Sequence, residues 1–346
     1  MLTFEQMLTP IWDTDIVYGE SFTMYRNENG EISADFLYEP QEIIEVKSAS
    51  FEIFYEEDKD YFIKDGKLHL KEGTKIPFME FDKVFMRNYV PGKSFAISNG
   101  YLFFDDGIFF HNHQIAVTYK CQKGAWQGYK PEYKGDILHK TIKRLTNEKS
   151  LKIVLFGDSI SAGFNASGKM LTEPFQPGFC DLFAEKLRRE YNANITIKNS
   201  SVGGKNSYWG MGVLDEKVIE ENADLVIIAF GMNDICTPEE FETNIRNMVD
   251  RIKAANADTD IILVATSTPN PLLSDEKARF WWYQHRHGEA LKSLEADGIA
   301  VLDIGALQKE LHRKKRFIDT TGNNVNHPND FFIRVHAQAL SALLVK

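Results

Sequence analysis

The sequence predicts an α/β fold in two parts, an antiparallel β-sandwich followed by a layered domain built on a parallel sheet. Before about residue 147, short alternating runs are separated by turn signals such as Asp105-Asp106-Gly107, which is typical of antiparallel sandwiches. After residue 150, near-continuous apolar runs alternate with amphipathic stretches, which indicates a parallel sheet covered by helices on both faces. We therefore expect a β-sandwich domain over 1–121, a linker over 122–149 that packs across both domains, and an α/β domain over 150–346.

Each element follows from its own pattern. The alternating runs of the amino-terminal part predict the strands Ile43–Val46, Phe51–Tyr55, Tyr61–Ile63, Lys67–Leu70, Tyr101–Phe104 and Gln114–Tyr119. The apolar runs of the second part predict the strands Leu151–Phe156, Ile195–Lys198, Asp224–Phe230, Asp260–Thr266 and Ile299–Ile304. The amphipathic stretches predict the helices Phe179–Tyr191, Pro238–Ala254, Ala278–Ala296 and Phe331–Leu344.

Composition narrows the classes of function. The 346 residues include 40 Lys and Arg against 50 Asp and Glu, a net charge of −10. Such a surface repels phosphate backbones and anionic lipids, so neither nucleic acid nor a membrane is expected as a partner. Three cysteines without a Cys-x-x-Cys pair argue against a disulfide framework or a zinc site and fit a reducing compartment. The first residues lack the basic and apolar regions of a secretory signal, so we expect a cytoplasmic protein.

Three polar segments follow strands of the predicted parallel sheet, at the edge where such sheets bind ligands, and a fourth lies near the carboxy terminus. Ser159 follows the first strand in Gly-Asp-Ser, and a serine on a tight strand-to-helix turn can expose its Oγ. Gly203 and Gly204 follow the second strand and allow a ligand to approach the backbone closely. Asn233 follows the third strand, and its amide is a suitable oxyanion donor.

The fourth segment precedes the last predicted helix. Pro328 disfavours helix at His327, which therefore lies on a loop, where it is a candidate general base. Each of the four segments, taken alone, also fits an ordinary helix cap, turn or surface histidine.

Taken in order, Gly-Asp-Ser, Gly, Gly-x-Asn-Asp and His-Pro resemble the blocks of the SGNH (GDSL-type) hydrolase superfamily, over residues 150–346. This resemblance implies a flavodoxin-like three-layer domain. An added amino-terminal sandwich, expected to be jelly-roll-like, makes the layout similar to carbohydrate esterase family 2 and related bacterial acetyl esterases. No Gly-x-Ser-x-Gly elbow and no P-loop motif occurs.

The resemblance also implies roles for the residues that match the sequence motifs of the family. Ser159 corresponds to the nucleophile and His327 to the base. The Ser159 backbone N–H, the Gly204 backbone N–H and the Asn233 amide correspond to the oxyanion hole, with Gly203 as the alternative to Gly204. Such enzymes need neither a metal nor an organic cofactor, and none is expected here.

One position departs from the family pattern, which usually has aspartate three residues before the histidine. Here that residue is Asn324. Three explanations stay open. Asn324 or a backbone carbonyl orients His327 in a Ser–His dyad, a carboxylate such as Asp319 or Asp330 substitutes, or activity is low or lost.

The resemblance points to a serine esterase that removes acetyl or other short acyl groups, with a small-molecule or oligosaccharide ester as substrate. A thioesterase or lysophospholipase, and a catalytically silent carbohydrate-binding protein, are the alternatives. Trp281, Trp282 and Gln284 follow the loop of the fourth strand, where substrate contacts are expected. Core packing is the default role of the two tryptophans in their helix-like context.

Overall fold

A computed structural model describes residues 1–273 and 283–346. The strands are β1 Ile16–Thr23, β2 Ser33–Asp35, β3 Glu42–Ser48, β4 Phe54–Tyr55, β5 Tyr61–Lys64, β6 Lys67–Leu70, β7 Phe85–Met86, β8 Ser94–Ile97, β9 Gly100–Phe103, β10 Gln114–Lys120, β11 Ser150–Gly157, β12 Asn194–Asn199, β13 Leu225–Ala229, β14 Asp260–Ala265 and β15 Ile299–Asp303. The helices are α1 Phe4–Met7, α2 Phe81–Val84, α3 Phe109–Asn112, α4 His139–Lys143, α5 Phe179–Tyr191, α6 Ser207–Gly212, α7 Leu214–Lys217, α8 Pro238–Ala255, α9 His287–Lys292, α10 Ile304–Leu311 and α11 Asp330–Leu344. Within the described ranges, no helix is both long and apolar enough to span a bilayer.

The carboxy-terminal half is built on a parallel sheet with strand order β12-β11-β13-β14-β15. Numbered within the sheet this order is 2-1-3-4-5, the flavodoxin-like arrangement. From β11 the chain adds β12 on one side of the sheet order and then β13 on the other, so the order in which strands are added reverses here. The loops leaving β11 and β13 therefore diverge to opposite faces of the sheet. The crevice that results at their carboxyl ends is where such sheets bind ligands.

Helices cover both faces of this sheet. Leu151, Ile153 and Leu155 of β11 point into the hydrophobic core that contains α5 and α11, whereas Val154 and Phe156 point into the core beneath α8. Strand residues alternate between faces, so an uninterrupted apolar strand is what a sheet buried on both sides requires. These layers form the three-layer α/β architecture that the sequence predicts.

The amino-terminal half consists of antiparallel sheets. A four-stranded sheet has the order β1-β10-β3-β4, and two three-stranded sheets have the orders β2-β6-β5 and β7-β9-β8. The predicted fold class, an antiparallel β-rich half followed by a parallel-sheet α/β half, is confirmed.

The two halves share one hydrophobic core and several buried polar contacts. Lys315 Nζ lies 2.7 Å from Glu20 Oε1, and both side chains are fully buried. Asp319 Oδ1 accepts a hydrogen bond from the Thr23 backbone N–H at 2.8 Å. The core cluster runs from Leu8 in the first half to Leu344 in the last helix. The halves are therefore joined by packing as well as by the 122–149 segment, and the predicted domain boundaries stay a prediction.

The five predicted parallel strands are present with ends within one residue of the prediction. Strand β1 was not predicted, because a bulge between Val17 and Glu20 interrupts its alternation. The predicted strand Phe51–Tyr55 is paired only over β4, since Phe51 has a left-handed φ of 62°. The helix predicted over Ala278–Ala296 lies partly outside the described residues, and α9 occupies part of the remainder.

Candidate active site

Ser159 and His327 meet at the carboxyl end of β11. Ser159 Oγ lies 2.9 Å from His327 Nε2, a hydrogen-bonding distance, and both residues are less than 10% exposed. The Ser159 turn forms because Asp158 Oδ1 accepts a hydrogen bond from Ile160 N at 3.0 Å, which closes a tight turn after the strand. Gly157 lets the end of β11 lie close to β13, since a Cβ at position 157 would collide with the Ala229 carbonyl of β13.

The other ring nitrogen of His327 faces two oxygen acceptors. Nδ1 lies 2.7 Å from Asn165 Oδ1 and 3.0 Å from Asp106 Oδ1. The amide orientation of Asn165 is set by its Nδ2, which faces the carbonyl oxygens of Gly107 and Gly322 at 3.4 and 3.3 Å. Two acceptors at Nδ1 require the proton to be on that nitrogen, which leaves the Nε2 lone pair free to accept the Ser159 proton.

A single buried amide shapes the histidine loop. Asn323 is fully buried, and its Oδ1 accepts hydrogen bonds from the backbone N–H groups of Val325, Asn326 and His327 at 3.0 to 3.1 Å. Pro328 follows and keeps His327 out of α11, as the sequence predicts. The loop thus holds the His327 ring in place through the backbone.

The predicted oxyanion donors lie around the same crevice. Gly203, Gly204 and Asn233 line one cleft together with Ser159 and His327. Gly204 has a φ of +72°, a conformation that favours glycine, and the space beside its Cα is open. Asn233 Nδ2 donates one hydrogen bond to the Lys205 carbonyl at 3.1 Å, and an amide nitrogen carries a second hydrogen that can serve a ligand.

The carboxyl group next to the nucleophile is buried. Burial raises the pKa of Asp158 to about 7, and the neighbouring Asp234 carboxylate adds to the shift. With this raised pKa, Asp158 is only partly ionised near neutral pH, which reduces the negative charge beside the position where an oxyanion would form.

Both halves of the chain line the cleft, which has a volume of about 460 Å³. The carboxy-terminal half supplies the residues named above and Phe164, whose ring centroid is 5.5 Å from that of His327. The amino-terminal half supplies Phe95, Phe104 and Asp106. Among the described residues, no group of three or more His, Cys, Asp or Glu side chains is arranged to hold a metal ion.

Asn324 does not form the contact with His327 that a dyad oriented by this residue requires. It has a left-handed φ of 67°, and its Nδ2 donates to the Phe103 carbonyl at 3.1 Å while its Oδ1 faces Asn270 Nδ2 at 3.4 Å. This conformation directs the amide toward the end of β9. The expectation that Asn324 orients the histidine is therefore corrected.

The two alternative carboxylates also lie elsewhere. Asp319 pairs with Arg316 at 2.9 Å and accepts from Thr23 N, and Asp330 accepts from Ser167 N at 2.9 Å. Neither carboxylate is among the hydrogen-bond partners of the His327 ring. The carboxylate that contacts the His327 ring is that of Asp106, which the sequence analysis did not name.

The predicted substrate residues are placed differently. Trp281 and Trp282 lie outside the described residues. Gln284 is buried and its Nε2 donates to the Met232 carbonyl at 3.3 Å, so it supports the Asn233 loop and does not line the cleft.

Asp106 and Asn165 were not identified as site residues from the sequence. Asp106 belongs to Asp105-Asp106-Gly107, which reads as a turn, and it does lie in the turn between β9 and α3. His111 lies in α3 and His113 follows it, where His113 Nδ1 contacts the Phe109 carbonyl at 2.8 Å. Only the three-dimensional packing of the halves brings Asp106 to His327.

A model of the GDSL-like lipase/acylhydrolase family matches residues 155–331, which extends from β11 to the start of α11. The chain belongs to this family. The match contains Ser159, Gly204, Asn233 and His327, and it confirms the resemblance seen in the sequence.

Individual relatives are distant. An arylesterase from Vibrio mimicus is 27% identical over 126 residues, which cover 36% of this chain and 58% of the relative. A two-domain esterase active on acetylated mannans is similar with a TM-score of 0.48 and 19% identity, over 60% of this chain and 53% of that structure. An acetylxylan esterase from Geobacillus stearothermophilus is similar with a TM-score of 0.45 and 19% identity, over 55% of this chain and 91% of that structure. The chain thus spans little more than half the length of the first two relatives.

Proposed function

We propose that the protein is a serine esterase that removes acetyl or other short acyl groups from a carbohydrate. The observation that carries the proposal is the 2.9 Å contact between Ser159 Oγ and His327 Nε2, with Nδ1 held by two oxygen acceptors. A serine, a base and an orienting group in this order form the arrangement that activates a serine hydroxyl.

The proposed reaction proceeds through an acyl-enzyme. Ser159 Oγ bonds to the ester carbonyl carbon as its proton passes to His327 Nε2, and the carbonyl oxygen takes the negative charge. Collapse of this intermediate breaks the bond to the sugar oxygen, which leaves as a hydroxyl with the proton from His327. Water then attacks the acyl group, again giving its proton to His327, and the second collapse releases the carboxylic acid and returns the proton to Ser159.

The donors around Ser159 support this chemistry. The developing charge on the carbonyl oxygen is stabilised by the backbone N–H groups of Ser159 and Gly204 and by the free amide hydrogen of Asn233. Each such donor typically contributes about 3 kcal/mol to transition-state stabilisation.

The cleft supports a sugar ester as the substrate. Phe95 and Phe104 provide aromatic rings, and Asn233 and Asn326 provide amides along the same cleft. Sugar rings stack on aromatic faces and their hydroxyls bond to amides. The relatives described above as acting on acetylated mannan or xylan suggest the acetylated sugars to try first.

A thioesterase or lysophospholipase is the second candidate. Four apolar side chains, those of Phe95, Phe104, Phe164 and Val325, line the cleft and offer contacts to a longer acyl chain. Chain-length preference separates the two candidates.

The test is hydrolysis of p-nitrophenyl esters from acetate to octanoate, followed by release of acetate from acetylated oligosaccharides. We expect a preference for acetate and a loss of activity in Ser159→Ala of at least about 10³-fold. Ser293→Ala, an exposed serine at the end of α9, is the matched control and should retain full activity. A preference for octanoate would favour the second candidate. Equal rates in wild type and Ser159→Ala would overturn both candidate activities. Glycan binding without turnover would then be the hypothesis to test.

A further inference from the structure

The amino-terminal half places a carboxylate against the ring of His327. Asp106 follows β9, and its Oδ1 lies 3.0 Å from His327 Nδ1, on the side of the ring opposite Ser159. From this geometry we propose that Asp106 is the positioning residue that orients His327 and stabilises its protonated form, so that the catalytic machinery is assembled from both halves of the chain. This inference rests on the proposed esterase function and adds a residue to it.

Asn165 and Asp106 both contact His327 Nδ1, and we assign them different roles. Asn165 Oδ1, at 2.7 Å, is a neutral acceptor that fixes the tautomer and the ring plane. When His327 takes the serine proton, a positive charge forms on the ring, and a neutral amide stabilises that charge less well than a carboxylate. Among the described side chains in contact with the ring, Ser159, Asn165 and Phe164 are uncharged. Asp106 is therefore the contact that supplies a compensating charge.

The carboxy-terminal half holds the Asp106 loop in this position through three amides. Asn323 Nδ2 donates to Asp106 Oδ1 at 3.2 Å, Asn165 Nδ2 faces the Gly107 carbonyl at 3.4 Å, and Asn324 Nδ2 donates to the Phe103 carbonyl at 3.1 Å. Asn324 occupies the position at which the family usually has its aspartate. Here it anchors the segment that carries the carboxylate.

Asp106 is suited to the role by its charge at neutral pH. The hydrogen bond with His327 holds the pKa of the Asp106 carboxyl below its ordinary value. Its side chain is 45% exposed, so solvent screens part of its interaction with the ring. We therefore expect a smaller loss on substitution than that caused by removing a fully buried aspartate.

The test compares Asp106→Asn, Asp106→Ala and Asp106→Glu with Ser159→Ala and wild type, using p-nitrophenyl acetate over a range of pH. Asp106→Asn keeps the shape and an acceptor but removes the charge. We expect kcat to fall about 10²-fold with little change in KM, and Asp106→Glu to recover part of that loss. Because the protonated ring loses its counter-charge, the acid limb of the kcat/KM profile should move to lower pH in Asp106→Asn.

Asp82→Asn, an exposed aspartate on α2 of the same half, is the matched control and should behave as wild type. Thermal melting of each variant separates a folding defect from a kinetic one, since a purely structural role would lower the melting temperature without moving the pH profile. If Ser159→Ala is inactive while Asp106→Asn and Asp106→Ala keep wild-type kcat and acid limb, Asp106 has no positioning role. If Ser159→Ala keeps full activity, the proposed function fails and the assignment of Asp106 fails with it.

Discussion

At the scale of single residues, the site depends on where amide side chains are directed. Asn323 organises the His327 loop, Asn165 fixes the ring, and Asn324 holds the strand end next to Asp106. Asparagine tolerates the left-handed conformation that Asn165 and Asn324 adopt, with φ values of 61° and 67°. An amide also donates and accepts at once, which a carboxylate at the same position does not.

Replacing Asn324 by Asp restores the family's sequence pattern, yet we expect it to impair the enzyme. The new carboxylate would face the Phe103 carbonyl, to which the amide now donates. Losing that buried hydrogen bond and adding a charge should cost about 2 kcal/mol of stability and lower kcat. Asn256→Asp is a suitable control, since Asn256 Oδ1 only accepts, from Asp258 N at 3.0 Å. A higher kcat in Asn324→Asp would contradict the assignment of Asn324.

Removing the Asn233 amide tests its proposed role as an oxyanion donor. In Asn233→Ala we expect kcat on p-nitrophenyl acetate to fall about 10²- to 10³-fold with KM little changed, because the donor acts mainly on charge that develops in the transition state. Steady-state kinetics measure this directly. A change confined to KM would show that Asn233 binds the ground state.

At the scale of elements, α11 explains how the two halves are held together. All but one of its residues are buried. The sequence predicts an amphipathic helix with one face exposed to solvent, and in the structure the amino-terminal half covers that face. Arg334 lies within this helix, donating to the Gly19 carbonyl at 2.6 Å and to Gln176 Oε1 at 2.9 Å, and burial lowers its pKa to about 10. A buried arginine with carbonyl partners ties β1 to the last helix.

Arg334→Met should therefore destabilise the fold. Removing the donors leaves the buried oxygens of Gly19 and Gln176 without partners, so we expect the free energy of unfolding to fall by about 3 kcal/mol. Urea denaturation measures the change. Arg246→Met on α8, where a half-exposed arginine pairs with Glu242 one turn away, should change it by less than about 0.5 kcal/mol. Equal effects in the two variants would argue against this role for Arg334.

At the scale of the whole molecule, the sequence predicted the parallel half well and the junction poorly. The strands β11 to β15 follow from uninterrupted apolar runs. Ser159 and Asn233 follow from where those runs end, and His327 follows from the proline that precedes the last helix. Asp106 was read as a turn residue, because its role depends on a contact 221 positions away in the sequence. Local patterns carry periodicity and turn signals, whereas a contact between the halves leaves no local signal.

Buried histidines give the molecule a defined response to acid. Burial between the rings of Phe179 and Phe332 lowers the pKa of His336 to about 4. The unfolded chain takes up a proton near pH 6.5 that the folded chain does not, so this group lowers stability as pH falls from about 6.5 to 4. In His336→Phe, the drop in unfolding free energy between pH 7 and pH 5 should be smaller by about 2 kcal/mol. An unchanged drop in urea titrations at the two pH values would contradict it, and half-exposed His139→Gln serves as the control.

We propose that Ser159 is the nucleophile and that residues of both halves of the chain position the histidine that activates it. The most direct measurement is covalent labelling with a fluorophosphonate, followed by intact mass and peptide mapping, in wild type, Ser159→Ala and Asp106→Asn. We predict one adduct per wild-type chain on the peptide containing Ser159, no adduct in Ser159→Ala, and slower labelling in Asp106→Asn. An adduct on another residue, or a wild-type protein that stays unlabelled, would contradict the account.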